Sequence, residues 1–198
     1  VKPYLWIYIP QDENSRQWQT FNERKTTNLN TPYIEYTLKT IISNNQDFFN
    51  ICIISDDNLI SLIPEWHYEM SALSGQKKER IRELAKQKIL YHYGGLFVPP
   101  SLLCLKSLRS LYVFSDEKAF KIKCDKYESI YGSKKYSKSV ENYIKELEEQ
   151  VRDTSIEVEF NDSMDKHFIG YNNKFYWYRR LEQHYYNFSF GKKNYFGL

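Results

Sequence analysis

Cysteine and glycine are scarce in this 198-residue chain, at three and seven residues. Cys52, Cys104 and Cys124 are widely spaced and form no C-x-x-C pair, which argues against a thiolate metal cage. An odd count in an otherwise ordinary domain points to a reducing compartment, such as the cytoplasm. Cys52 and Cys104 sit in apolar runs and read as core residues rather than nucleophiles. His67, His92, His167 and His184 contain no H-x-x-x-H pair and no neighbouring acidic ligand set, so zinc has no cradle in the sequence. The chain has no G-x-S-x-G and no phosphate-binding glycine loop, which leaves hydrolase and P-loop readings without support. It also lacks an apolar run long enough to span a bilayer. The opening VKPYLWIYIP has neither a long apolar region nor a small-residue cleavage site, and reads as a strand rather than a signal peptide. Val1 stands where an initiator Met is expected, so the chain reads as a processed product or an excerpt of something longer. A net charge of +3 is too small to imply nucleic acid as the partner. There is no internal repeat or low-complexity linker, so residues 1–198 read as one domain.

What is present is core-forming and aromatic. Hydrophobic residues make up 41% of the chain, enough for a globular core. The 18 Tyr and 12 Phe suit a surface that is half apolar and half wet, as at interfaces. They equally suit an AT-rich genome, whose codons favour Tyr, Phe, Asn, Lys and Ile.

Taken in order, Leu5–Ile9 is a β-branched and aromatic run closed by Pro10, and predicts a strand. Gln11–Asn30 is polar like a loop, yet Trp18 and Phe21 within it call for something to pack on. Thr31 and Pro32 suit a helix start, with Ile34, Leu38, Ile41 and Ile42 as its buried stripe and Asn44-Asn45 as its end. Phe48–Ile54 is apolar but for Asn50, and predicts a strand buried on both faces. Ser55–Asn58 is a turn, followed by a short helix toward Pro64. This alternation of strand and helix implies right-handed crossovers and a parallel sheet. Further on, Ser107–Phe114 suggests a short helix and Lys118–Lys123 a strand. Ser139–Arg152 is an amphipathic helix with Val140, Tyr143, Ile144, Leu147 and Val151 on one face. Ile156, Val158 and Phe160 alternate with Glu157 and Glu159 as an exposed edge strand would. From residue 168 the chain is a dense aromatic extension with no assignable element.

The stretch Arg82–Leu108 organises the rest. Ile81, Leu84, Ala85, Ile89 and Leu90 share one helical face, while Lys78, Glu79, Arg82, Lys86 and Gln87 mostly fall on the others. Gly94 and Gly95 follow the last turn, where a left-handed cap requires a residue without Cβ. Leu96-Phe97-Val98 is a short strand, which Pro99 and Pro100 stop by removing two backbone donors. The segment resembles the core of the DXD-type glycosyltransferases, the sugar-binding-region group that uses a nucleotide-sugar donor. Their pattern runs S-D-x-x-R-x-x-x-L-x-x-x-G-G-x-Y-x-D-x-D. Leu90, Gly94 and Gly95 match it, Glu83 and Lys86 stand for its Asp and Arg, and Phe97 for its Tyr. The two acids of DXD fall on Pro99 and Ser101.

The resemblance covers residues 1–108 best. It implies an α/β fold, a single glycosyltransferase-A-like (Rossmann-like) domain with a mostly parallel sheet, followed by the aromatic extension 168–198. In the family, the DXD carboxylates hold a divalent cation that neutralises the departing diphosphate. Hard cations require anionic oxygen, so loss of both acids implies a scaffold without metal, cofactor or the family's catalysis. On the same resemblance Asp56, Asp57, Glu83, Lys86, Gly94, Gly95 and Ser101 form a vestigial donor site.

A narrower likeness lies in the first third. Trp6-x-Tyr8-x-Pro10, then Asn14-Ser15-Arg16-x-Trp18-x-x-Phe21-x-x-Arg24, then Leu29-Asn30-x-Pro32, together with Val98-Pro99-x-Ser101, resembles glycosyltransferase-like proteins of nucleocytoplasmic large DNA viruses. It implies a virion location and capsid or virion proteins as partners.

Each candidate site also has a plain structural account. Asp56 and Asp57 follow a strand at the end where open α/β sheets bind ligands, and could meet a ribose or a displaced metal; they equally suit a helix N-cap and first-turn acid. Glu83 and Lys86 could echo the donor pocket, or be an i,i+3 ion pair worth about 0.2–0.5 kcal/mol. Tyr176, Trp177, Tyr178, Arg179 and Arg180 could stack bases, but the small net charge favours protein contact. A transferase that grips its donor without metal, through Lys86 or Lys106, is the alternative function.

Overall fold

The computed structural model describes residues 1–10, 32–113, 119–123, 130–153 and 160–172. Strand β1 (Tyr4–Tyr8) forms from the apolar, β-branched opening run and is buried along nearly its whole length. Helix α1 (Pro32–Asn45) opens on the one residue type that has no N–H to leave unpaired. It buries Ile34, Leu38 and Ile41 as expected, but also Thr37 and Asn45, whereas Ile42 is only half buried. Asn45 clamps the region beyond the sheet. Its Oδ1 accepts the Leu108 N–H at 2.7 Å, and its Nδ2 lies 3.3 Å from Cys104 Sγ. Burial pushes the Cys104 thiol up to about 11, against a smaller downward pull from the Asn45 amide and the Lys106 backbone.

Strand β2 (Asn50–Ile54) leads into a 3₁₀ turn (Asp56–Asn58) and the short helix α2 (Leu59–Leu62). The expectation that β2 is buried on both faces is overturned. Among the described strands it is the outermost on one side of the sheet, and Ile53 is 48% exposed. An apolar run reports that side chains avoid water; it carries no information about how many neighbours the strand has.

Helix α3 (Gly75–Tyr93) ends where Gly94, at φ +67°, returns its N–H to Leu90 O at 2.8 Å. Strand β3 (Gly95–Val98) starts at once. Gly95 has φ +113°, and a Cβ there would come within 2.3 Å of Tyr4 O, so the backbones of β1 and β3 meet only because the side chain is missing. Helix α4 (Arg109–Val113) and strand β4 (Phe120–Lys123) follow, as the sequence suggests.

Strand β5 (Ile130–Ser133) was not foreseen. Only residues 124–129 separate it from β4, too few for a crossover, so the pair runs antiparallel. Helix α5 (Lys138–Arg152) buries the predicted face. Phe160, expected in an edge strand, instead opens helix α6 (Phe160–His167); Ile156 and Val158 of that expected strand lie outside the described residues. Glu146 of α5 ties α6 down, accepting from Ser163 and lying 2.6 Å from His167 Nε2. Strand β6 (Ile169–Asn172) is the last element among the described residues, at the start of the stretch for which the sequence offers no element.

The six described strands form one sheet in the order β2-β1-β3-β5-β4-β6. Pairs β1–β2, β1–β3 and β4–β6 are parallel, while β3–β5 and β4–β5 are antiparallel. Among the described strands β5 alone therefore opposes the others, and the sheet is mixed, with three of its five pairings parallel. Helices cover both faces. Trp6, Tyr8, Ile54 and Phe97 pack under α3 and α5 on one side. Leu5, Ile7, Leu96 and Val98 pack under α1 and the Leu102–Leu111 segment on the other. The architecture is α/β and compatible with a Rossmann-like fold. Among the described residues no helix is long and apolar enough to cross a membrane.

Candidate functional site

In a sheet with strand order 2-1-3, the chain leaves β1 on one side to make β2 and returns on the other to make β3. The crevice at the carboxyl ends of β1 and β3 is then the position where open α/β sheets receive ligands. The structure places there Tyr8 from the end of β1, Asp56 from just beyond β2, and the corner Pro99-Pro100-Ser101 beyond β3. α3 runs past this edge and supplies Lys78, Arg82, Glu83 and Lys86.

Asp56 is the centre of the cluster. Arg82 donates to it through two bonds, Nε to Oδ1 at 3.0 Å and Nη2 to Oδ2 at 2.6 Å. Such a paired fork is the strongest geometry open to a carboxylate. Tyr8 donates its hydroxyl to Oδ1, and Lys78 Nζ stands 3.8 Å from Oδ2. Burial would push the Asp56 carboxyl up, but hydrogen bonds from Arg82 and Tyr8 and the charges of Arg82 and Lys78 hold it below the ordinary value. Burial, reinforced by the Asp56 carboxylate, pushes the Tyr8 phenol well above its usual range. Arg82 also donates to Glu79 Oε1 at 2.7 Å.

Glu83 and Lys86 form the expected pair at 3.6 Å, and Gln87 donates to Glu83 at 2.9 Å. Lys86 Nζ lies 5.3 Å from the centre of the Tyr8 ring, a cation–π contact.

The corner after β3 is a closed turn. Leu102 N–H donates to Pro99 O at 3.1 Å, and the Thr37 hydroxyl of α1 donates to Pro100 O at 2.6 Å. Both prolines are buried and both carbonyls are engaged. The divalent cation that the family likeness implies finds no fit here. Pro99 and Ser101 supply no carboxylate, and the nearby buried acid, Asp56, is bound to a guanidinium. Among the described residues no three His, Cys, Asp or Glu gather as metal ligands.

The sequence-derived site is thus partly assembled. Asp56, Glu83, Lys86 and Ser101 belong to the crevice end of the sheet. Gly94 and Gly95 do not: they sit at the opposite end of β3, roughly 10 Å away at about 3.3 Å per residue. Their work is structural, closing α3 and admitting β1. Asp57 is exposed, unlike Asp56. The N-cap is neither acid but Ser55, whose N–H donates to Asn58 Oδ1 at 3.0 Å. Tyr176, Trp177, Tyr178, Arg179 and Arg180 lie outside the described residues.

Two central residues were missed. Periodicity puts Arg82 on the outer helix faces, yet it is buried, and Tyr8 enters the sequence reading through the first strand and the narrower likeness, not as a site residue. The available signal was an acid directly after a strand, which once buried must find a cation. Comparison with protein-family models, curated proteins and solved structures finds no match to the chain.

Proposed function

We propose that this chain is a glycosyltransferase-like scaffold that does not carry out metal-dependent sugar transfer and works by contacting other proteins, as a minor capsid or virion component of a large DNA virus. One observation carries the reading: at the carboxyl end of the sheet the buried carboxylate of Asp56 is held by Arg82, and Pro99-Pro100-Ser101 stands where the likeness would place the acid pair. A diphosphate leaving group would find no acid pair to hold a metal cation against it. The narrower sequence likeness supports the virion location.

Titration calorimetry with UDP- and GDP-sugars, with and without Mn²⁺, tests the catalytic half. The expected result is no metal-dependent heat and no turnover. Transfer with Mn²⁺ overturns it; metal-free binding lost in Lys86→Ala would favour the alternative, a transferase gripping its donor through lysine. Quantitative mass spectrometry of purified particles tests the other half, with the chain expected at a fixed copy number.

A further inference from the structure

Among the described strands β2 ends the sheet on one side, and its outer edge is directional. Asn50 N–H bonds to Pro3 O at 2.8 Å, and Ile54 O accepts the Ile9 N–H at 2.9 Å. The backbone groups of residues 50, 52 and 54 therefore turn toward β1, and strand alternation aims those of Ile51 and Ile53 outward. Among the described residues no strand pairs with that edge. Sheet edges are commonly guarded by Lys, Pro or a bulge. The sequence Asn50-Ile51-Cys52-Ile53-Ile54 has none of these, and Ile53 is half exposed.

We propose that β2 pairs antiparallel with β2 of a second copy of this chain, about a two-fold axis through Cys52. The strand carries no charge and its outward groups sit symmetrically about Cys52, so the strand is complementary to an identical strand across a two-fold axis. In this register Ile51 faces Ile53 of the second copy, and their outward N–H and C=O groups bond reciprocally. Asn50 faces Ile54, and all five residues stay within the strand. Centring on Ile53 would set Asn50 opposite Asp56, whose carboxylate is fixed in the crevice. Centring on Ile51 would run the pairing into the turn at residues 46–48. About Cys52, the two Cys52 residues face each other as a non-hydrogen-bonded pair. Their Cα atoms then lie about 4.5 Å apart, within the ~4.4–6.8 Å that a disulfide spans. The inference is independent of the reading of the crevice.

The test uses the full chain. Sedimentation equilibrium should show a dimer, and copper–phenanthroline in air should link it covalently, the two thiols losing two protons and two electrons to the oxidant. Cys52→Ser should abolish the link and keep the dimer. Ile53→Pro removes only an outward N–H, so it should preserve the bonds to β1 and give a folded monomer; Ile53→Lys is the second variant, should the proline disturb folding. A dimer that survives both Ile53 variants, or a link that survives Cys52→Ser, overturns the proposal. So does a monomeric wild type: slow exchange of the Ile51 and Ile53 amides would then mean that another segment of this chain covers the edge, and fast exchange that the edge is left for a different protein.

Discussion

Arg82 shows what a single residue contributes here. Its charge is hidden, and so is that of Asp56. Removing one partner of a buried pair strands the other, so Arg82→Met should cost about 3–5 kcal/mol in urea unfolding, whereas Asp56→Asn with Arg82→Met should recover much of the loss. The pH dependence follows with a definite sign. The Asp56 carboxyl is lower in the fold than in the open chain, so its contribution is present above the unfolded value of about 3.9 and disappears as pH falls through the folded value. The Tyr8 phenol is raised, so its contribution is present below about 10 and disappears at higher pH. Unfolding curves across pH should show both limbs. Because Glu146 and Glu141 are also held low, the acid limb of Asp56→Asn should be shallower than wild type, not flat. Of this cluster only Asp56, the acid just after a strand, was legible in the sequence. Helical periodicity counts every arginine as a surface residue, and only the fold reveals that α3 meets an acid beyond β2.

Among elements, the turn from α3 into β3 was the most legible, because Gly-Gly after an amphipathic run has few other uses. The structure adds what the second glycine is for. Gly95→Ala should cost roughly 3 kcal/mol or more, since the methyl meets the Tyr4 carbonyl and the φ is positive. Gly75→Ala, also at positive φ but with open space around it, should cost only about 1–2 kcal/mol. Thermal unfolding of the two variants separates collision from backbone strain. α1, α3 and α5 were readable because long helices repeat their pattern over several turns. β5 was not: four residues with Gly132 in the middle carry too short a pattern, and its pairing depends on strands distant in sequence. Alternation in the acidic stretch before α6 misled at Phe160 for the same reason, since a few alternating residues fit either period.

At the scale of the molecule, the strand–helix alternation correctly gave an α/β architecture, and the mixed sheet arises from one reversed strand that the alternation could not show. Of the residues that the likeness groups together, Asp56, Glu83, Lys86 and Ser101 lie toward the carboxyl end of the sheet and Gly94 and Gly95 lie at the other end, because a linear motif does not say which end of a strand its residues occupy. The alternating side chains of β1 feed both halves of the core: Leu5 and Ile7 go to one, Trp6 and Tyr8 to the other. Neither half can loosen without β1. Ile41→Ala under one face and Leu84→Ala under the other should therefore each lower stability by about 2–5 kcal/mol. Circular dichroism and fluorescence should both report a single transition.

The Trp6 indole, buried among Tyr4, Tyr93 and Phe97, donates to the Gly94 carbonyl at 2.8 Å. That bond makes Trp6 an optical gauge of the central seam. Red-shifted emission from this one ring, isolated by replacing Trp18, Trp66 and Trp177 with Phe, would mark the moment the first and third strands part. The protein thus carries its own label at the place where its folding can be watched.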